Sequence, residues 1–333
     1  MIFQPPALAL LLALSLNALL MAVAGVFAVR LLRHWNPALA SERQIALERQ
    51  SYLVSSLAGL SLLVSLPALA LFVYTAERMA PFFTGAMCAV GSLNANAWGW
   101  PALIGLLIYF FIATAWLSLH HLDRLGWDYP LIRAKYRLLL LLAPGAVVVA
   151  SLGWLYFLNL HPEVITSCCG SLFGAQSESV AAEVASLPAA QSMAVFVVTL
   201  AVTLLVGGVH LVTGRLGRLY GLLSMVSLLV SLSAIVAFIS LYIYEHPNHH
   251  CPFCLLQTEH GYAGWLLYPP LFLAAASGMG VALSTASAGK DSLKTLGPMQ
   301  ARRLAWVSVL GFGVFGLLVA GYILRSNLVL IGA

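Results

Sequence analysis

Long apolar runs alternate with short polar ones along this chain. Eight runs, near 7–31, 51–75, 101–121, 136–160, 191–214, 219–244, 265–286 and 303–325, match the roughly 20 residues that a helix needs to cross a bilayer. Inside each run the apolar positions are continuous and do not alternate with polar ones. That excludes barrel strands and predicts helices. The expected fold class is an all-α integral membrane protein with eight transmembrane helices. The first run has neither a basic leader nor a small-residue cleavage pattern, so it reads as a retained helix.

Composition agrees: 61% of the 333 residues are hydrophobic and 8% are charged, against about 25% charged in a soluble domain. Charge then supplies an orientation. Arg30, Arg33, Arg43 and Arg49 follow the first span, and Arg124, Arg133, Lys135 and Arg137 follow the third. Arg215 and Arg218 follow the fifth, and Lys290, Lys294, Arg302 and Arg303 the seventh. Only Arg78 and Arg325 fall on the other side. Basic connections stay in the cytoplasm, so both termini are expected to be extracytoplasmic. The net charge of +5 is thereby an orientation signal, and no nucleic-acid partner is expected. The lipid bilayer is the expected partner, in an inner or plasma membrane.

One sequence offset recurs. Residues 61–66 read SLLVSL, and so do residues 227–232. The same shift of 166 relates Cys88 to Cys254, Ser118 to Ser284, Arg137 to Arg303, Gly145 to Gly311 and Tyr156 to Tyr322. A constant offset across spans of this length predicts a tandem duplication. Each half then holds an even number of spans, so the halves insert in the same sense, as a parallel repeat. The expected organisation is a four-helix half over 1–165, an extracytoplasmic linker over 166–190, and a second four-helix half over 191–333. The first half carries extra polar residues over 32–50, expected as a cytoplasmic insert with a short interfacial helix.

The chemistry lies in the outer loops, roughly 76–100, 161–190 and 245–264. They hold all five cysteines, Cys88, Cys168, Cys169, Cys251 and Cys254, and also His161, His246, His249, His250 and His260. Cys251-Pro-Phe-Cys254 is the sharpest motif. Its spacing places two thiols on one turn. Proline suits the first turn of a helix, and a thiol at a helix N-terminus becomes a better nucleophile and leaving group. The alternatives are a plain stabilising disulfide and a metal site. His246, His249, His250, His260, Cys251 and Cys254 together offer soft and borderline ligands suited to zinc, copper(I) or iron. Cys168 and Cys169 are adjacent, so a disulfide between them would be strained; they suit a soft metal or two separate partners. Cys88 could bridge to either, or be a buried lone thiol. His210, inside span 5, is an ionisable group in the membrane and so a candidate site, or a packed ring bonded to a backbone carbonyl.

Cys-Pro-Phe-Cys is similar to the active-site tetrapeptide of glutaredoxin-like proteins, over four residues and without a thioredoxin fold around it. Cys-Pro-Phe-Cys-Leu-Leu-Gln at the outer mouth of a membrane helix also resembles the quinone-coupled membrane thiol oxidases of the disulfide-bond-B and vitamin K epoxide reductase type. Those are single four-helix bundles. This chain departs from them in its duplication, its outer N-terminus and the stretch Thr258–Tyr262 before span 7. The resemblance implies a thiol–disulfide oxidoreductase that uses a quinone.

Three functions are thus expected. One is thiol–disulfide redox chemistry through Cys251 and Cys254, with Cys168, Cys169 and Cys88 as relay or resolving thiols, a quinone as candidate cofactor, and an extracytoplasmic thioredoxin-like protein as partner. Another is soft-transition-metal binding or transport through the same Cys/His cluster, with a metal-carrying protein as partner. The third is a non-catalytic membrane subunit of a larger complex.

Overall fold

The computed structural model describes residues 2–36, 41–166 and 180–330, and these contain helices and no strand. Twelve α-helices are numbered in chain order. They are α1 (Pro5–His34), α2 (Glu42–Ser65), α3 (Ala68–Met79), α4 (Ala89–Leu93), α5 (Gly99–Leu125), α6 (Ile132–Leu158), α7 (Val180–Ala185), α8 (Ala189–Thr213), α9 (Gly217–Ala234), α10 (Ser240–Tyr244), α11 (Ala263–Ser287) and α12 (Leu296–Arg325). Eight helical stretches are long and apolar enough to cross a membrane, as the hydrophobic pattern predicts. Their outward faces carry Leu, Val and Ile, the surface that lipid solvates.

Two interruptions matter. Pro67 separates α2 from α3 within one crossing, because its ring cannot donate to the preceding turn. In the sixth crossing a π-helical turn, Ile235–Ile239, joins α9 to α10. The expected separate interfacial helix within 32–50 is not formed. The polar residues from Glu42 onward are the first turns of α2, capped by the Ser41 hydroxyl, which accepts from the Gln44 amide. No proline or glycine lies between Glu42 and Ser51 to break that helix away from the span.

The described residues divide into two compact units. Unit 1 holds Met1–Thr84, Ser92–Ile165 and Gly289–Leu296; unit 2 holds Gly85–Gly91, Thr166–Ala288 and Gly297–Ala333. Each unit therefore incorporates a short connection from the other part of the sequence.

Unit 1 is organised around α1, which runs against α6. The contact is so close at Gly25 that a Cβ there would sit 2.7 Å from the Ala143 Cβ. Inside hydrocarbon a polar side chain needs a partner in the protein, and these have them. Ser61 donates to Asn17, which donates to the Tyr109 hydroxyl. Tyr136 donates to the Ser51 carbonyl and accepts from Ser55. At one end Lys135 and Asp123 form a buried ion pair of 2.6 Å. Asp123 also accepts from the Leu131 amide, and the Lys135 carbonyl accepts from the Trp116 indole. The pair thus joins the end of α5, the connecting turn and the start of α6.

Unit 2 repeats this logic with other residues. Ser227 of α9 donates to Thr203 of α8, and Tyr220 donates to Ser308, which donates to the Ala274 carbonyl. Aromatic rings fill the space between α8 and α12, with Phe196 against Phe315. Gly278 lets α11 press on α9; a Cβ there would lie 2.1 Å from the Ser224 Oγ.

Removing one partner of a buried ion pair leaves an uncompensated charge, at a cost of about 3–5 kcal/mol. Asp123→Ala should therefore lower the thermal midpoint of the purified protein sharply. Asp123→Leu combined with Lys135→Met should recover most of that loss. Equal midpoints for the single and double variants would show that the pair does not hold this end of unit 1.

Candidate functional site

The site lies in unit 2, in the connections beside its helices. Three sulfur atoms, those of Cys88, Cys251 and Cys254, lie within 4.8 Å of one another, and all three residues are buried. Cys88 Sγ and Cys251 Sγ are 3.5 Å apart, well beyond the roughly 2.05 Å of a disulfide bond. Cys88 comes from the connection before α5 and the other two from the loop between α10 and α11, so a separation of 163 residues is closed.

Each connection is held by its own chemistry. Gly85 has a φ of 86°, and a Cβ there would fall 2.1 Å from the Thr166 carbonyl oxygen, so only glycine fits. Gln257 donates its side-chain amide to the Met87 carbonyl, tying the Cys88 segment to the Cys251–Cys254 loop. That loop is bounded by left-handed backbone, at Glu245 with φ 52° and at Tyr262 with φ 55°. Two non-glycine residues in that region mark a loop whose path is imposed by its surroundings.

The motif's backbone is fully engaged. The Cys251 carbonyl accepts from the Tyr244 hydroxyl and the Pro252 carbonyl from the Tyr268 hydroxyl. The Phe253 and Cys254 carbonyls accept from the amides of Leu256 and Gln257. All four carbonyls from Cys251 to Cys254 thus point at protein donors. The expectation that Pro252 opens a helix is corrected here. Cys251–Phe253 form a turn, Cys254–Leu256 a single 3₁₀ turn, and α11 begins only at Ala263. The left-handed residues Gly261 and Tyr262 separate the motif from that helix.

The histidines are disposed around the sulfurs and not among them; the group of mutually close donor atoms contains no imidazole. His250 donates from Nδ1 to the Val236 carbonyl, in the π-helical turn. The Asn248 amide donates to Nδ1 of His246, which is exposed. His249 and His260 pack on the ring of Tyr244, each with centroids 4.2 Å from it, and stand 6.1 Å from each other. Burial, and then the neighbouring His249, hold the His260 imidazole below its usual range against the pull of Glu259. His210 lies elsewhere in unit 2, donating from Nδ1 to the Arg215 carbonyl at 2.8 Å, the packed arrangement of the two that its position allows. Cys168 and Cys169 lie outside the described residues.

Sequence reasoning missed Tyr244, Tyr268 and Gln257. Tyr268 reads from sequence as part of an interfacial aromatic belt, and no local pattern marks a hydroxyl that caps a distant carbonyl. The glutamine of Cys-Pro-Phe-Cys-Leu-Leu-Gln was a visible signal, since a polar residue there ends an apolar stretch. No family model, curated protein or solved structure matches the chain.

Chemically, three close sulfurs with a fixed backbone can do two things. They can hold one soft cation, or two of them can close as a disulfide when an oxidant such as a quinone takes up two electrons and two protons, the third thiol then being placed to exchange with it. What they cannot do in this arrangement is meet a bulky thiol reagent. In the native protein Cys88, Cys251 and Cys254 should react with a large maleimide about a hundredfold more slowly than after denaturation. Mass spectrometry of the labelled peptides checks this, and equal labelling in both states would contradict the burial. Tyr244→Phe and Tyr268→Phe should each cost about 1–3 kcal/mol of stability by stranding a carbonyl, read as a lower thermal midpoint.

Proposed function

We propose that this chain is an integral membrane protein that binds a thiophilic metal ion, of the copper(I) or zinc class, through Cys88, Cys251 and Cys254. The observation that carries the reading is the spacing of the buried sulfurs. Three thiolates about 2.3 Å from one ion at the tetrahedral angle stand about 3.8 Å apart. The three sulfurs here lie within 4.8 Å of each other, with those of Cys88 and Cys251 3.5 Å apart, and thiolate-rich sites select soft ions. Thiolate ligands among the described residues suit a protein that passes a soft ion on, by transport or to a metal-carrying partner. The site faces the extracytoplasmic side of an inner or plasma membrane, because the basic connections mark the opposite side. Both termini then lie outside as well.

The chain is also proposed to be a tandem duplication of four-helix halves. In support, Ser61 and Ser227, which the offset of 166 relates, both donate to a polar side chain of the crossing before their own, Asn17 and Thr203. Cys88 and Cys254, related by the same offset, belong to one cluster.

A second reading is favoured by the short distance between Cys88 and Cys251. Those two thiols could lose two electrons and two protons to form a disulfide while a quinone is reduced to its quinol, with Cys254 as the resolving thiol. Burial weighs against a bulky protein thiol attacking these sulfurs directly, and this places the reading second.

Elemental analysis and thiol counting on one purified sample decide between them. Metal binding predicts one copper or zinc ion per chain, lost in each of Cys88→Ser, Cys251→Ser and Cys254→Ser. Because bound thiolates must shed protons, retention should weaken as the pH falls. A metal-free protein that loses two thiols on exposure to a quinone, and regains them with dithiothreitol, would replace this reading with the redox one.

A further inference from the structure

We infer that His249 and His260, which both pack on the Tyr244 ring, form a receiving site at which the soft ion is first captured before it enters the sulfur cluster. The inference rests on the metal reading above and adds the route. A buried site needs an entry path, and the three sulfurs are almost wholly shielded, at 0%, 0% and 3% exposure for Cys88, Cys251 and Cys254. His249 and His260 are only half-buried. Both pack on Tyr244, whose hydroxyl is bonded to the Cys251 carbonyl, so the imidazole pair adjoins the backbone of the cluster itself.

The four histidines of this loop divide by what their rings already do. Nδ1 of His250 is committed to the Val236 carbonyl, and Nδ1 of His246 accepts from the Asn248 amide. The rings of His249 and His260 make no hydrogen bond to the described residues; their contacts are with Tyr244 and with each other. Their nitrogens are therefore open to a ligand. The separation fits one ion. With metal–nitrogen bonds of about 2.0–2.1 Å, an ion lies about 3.2 Å from each ring centre, so two imidazoles sharing it stand at most about 6.4 Å apart. The centroids here are 6.1 Å apart, which corresponds to a wide nitrogen–metal–nitrogen angle. Two neutral imidazoles in that geometry hold a soft ion more weakly than three thiolates do. An ion captured there is thus poised to move inward.

The test uses copper(I) as the probe on the full-length protein in detergent. Titration should show one tight equivalent and a second, weaker one. His249→Phe combined with His260→Phe keeps the rings on Tyr244 but removes their nitrogens. It should abolish the weak equivalent, keep the tight one, and slow copper uptake from a competing chelator about tenfold or more. The retained tight equivalent also shows that the variant is folded. A wild-type protein with a single equivalent overturns the inference without any substitution, and so does a double variant that loads within twofold of the wild-type rate. A wild-type protein that binds no copper(I) overturns the underlying metal reading, which keeps the two failures distinct.

Discussion

Hydrocarbon offers no hydrogen bonds, and the rest of this structure follows from that fact. Every backbone amide and carbonyl within the bilayer must find a partner in the chain, so the crossings are helices and several polar side chains inside them bond to one another. The sets Ser61–Asn17–Tyr109 and Tyr220–Ser308–Ala274 are of this kind. Reactive groups are costly there, and the thiols are found in the connections. Connections, however, lack the regular bonding of a helix. The Cys251–Cys254 loop solves that by borrowing donors from neighbouring helices: Tyr244 closes α10 and Tyr268 lies in the second turn of α11. A rigid membrane helix thereby becomes the anchor of an irregular loop.

This division of labour also shapes the cluster. Two of its sulfurs share one tight turn, and the third arrives from a remote segment whose position depends on Gly85 and on the Gln257–Met87 bond. A site assembled in that way is defined only when both connections are folded. Among the described residues its mutually close donor atoms are all sulfur, and the nearby imidazoles form a separate outer group. The sequence pools these residues within a few positions of each other, yet the fold separates them by role.

How much could be read beforehand follows the same line. The eight crossings are legible because hydropathy over about 20 residues is a sum that no single contact overrides. The prominence of Cys251 and Cys254 is legible because their spacing is local. The closeness of Cys88 to Cys251 is not, since closing 163 residues depends on tertiary packing that leaves no trace in spacing; the sequence offers Cys88 as a relay or resolving thiol, as a bridge to Cys168 or Cys169, or as a lone thiol. The same holds for the start of α11. Proline at position 252 satisfies the local rule for a helix start, but Gly261 and Tyr262 take left-handed conformations and postpone the helix. The predicted interfacial helix failed for the converse reason. Polarity marks a change of solvent along α2 and not a break in the chain.

The duplication, as proposed, gives these particulars a common cause. If each half once carried one cysteine at the mouth of its second crossing, Cys88 and Cys254 are that inheritance, and Cys251 is the addition that turns a pair into a set of three. Three thiolates in so small a volume would repel one another strongly at low effective dielectric, so all three can ionise together only around a cation. A pair needs no cation, because it can close as a disulfide. A bound cation satisfies all three at once, and this is the physical reason for placing metal binding ahead of disulfide exchange.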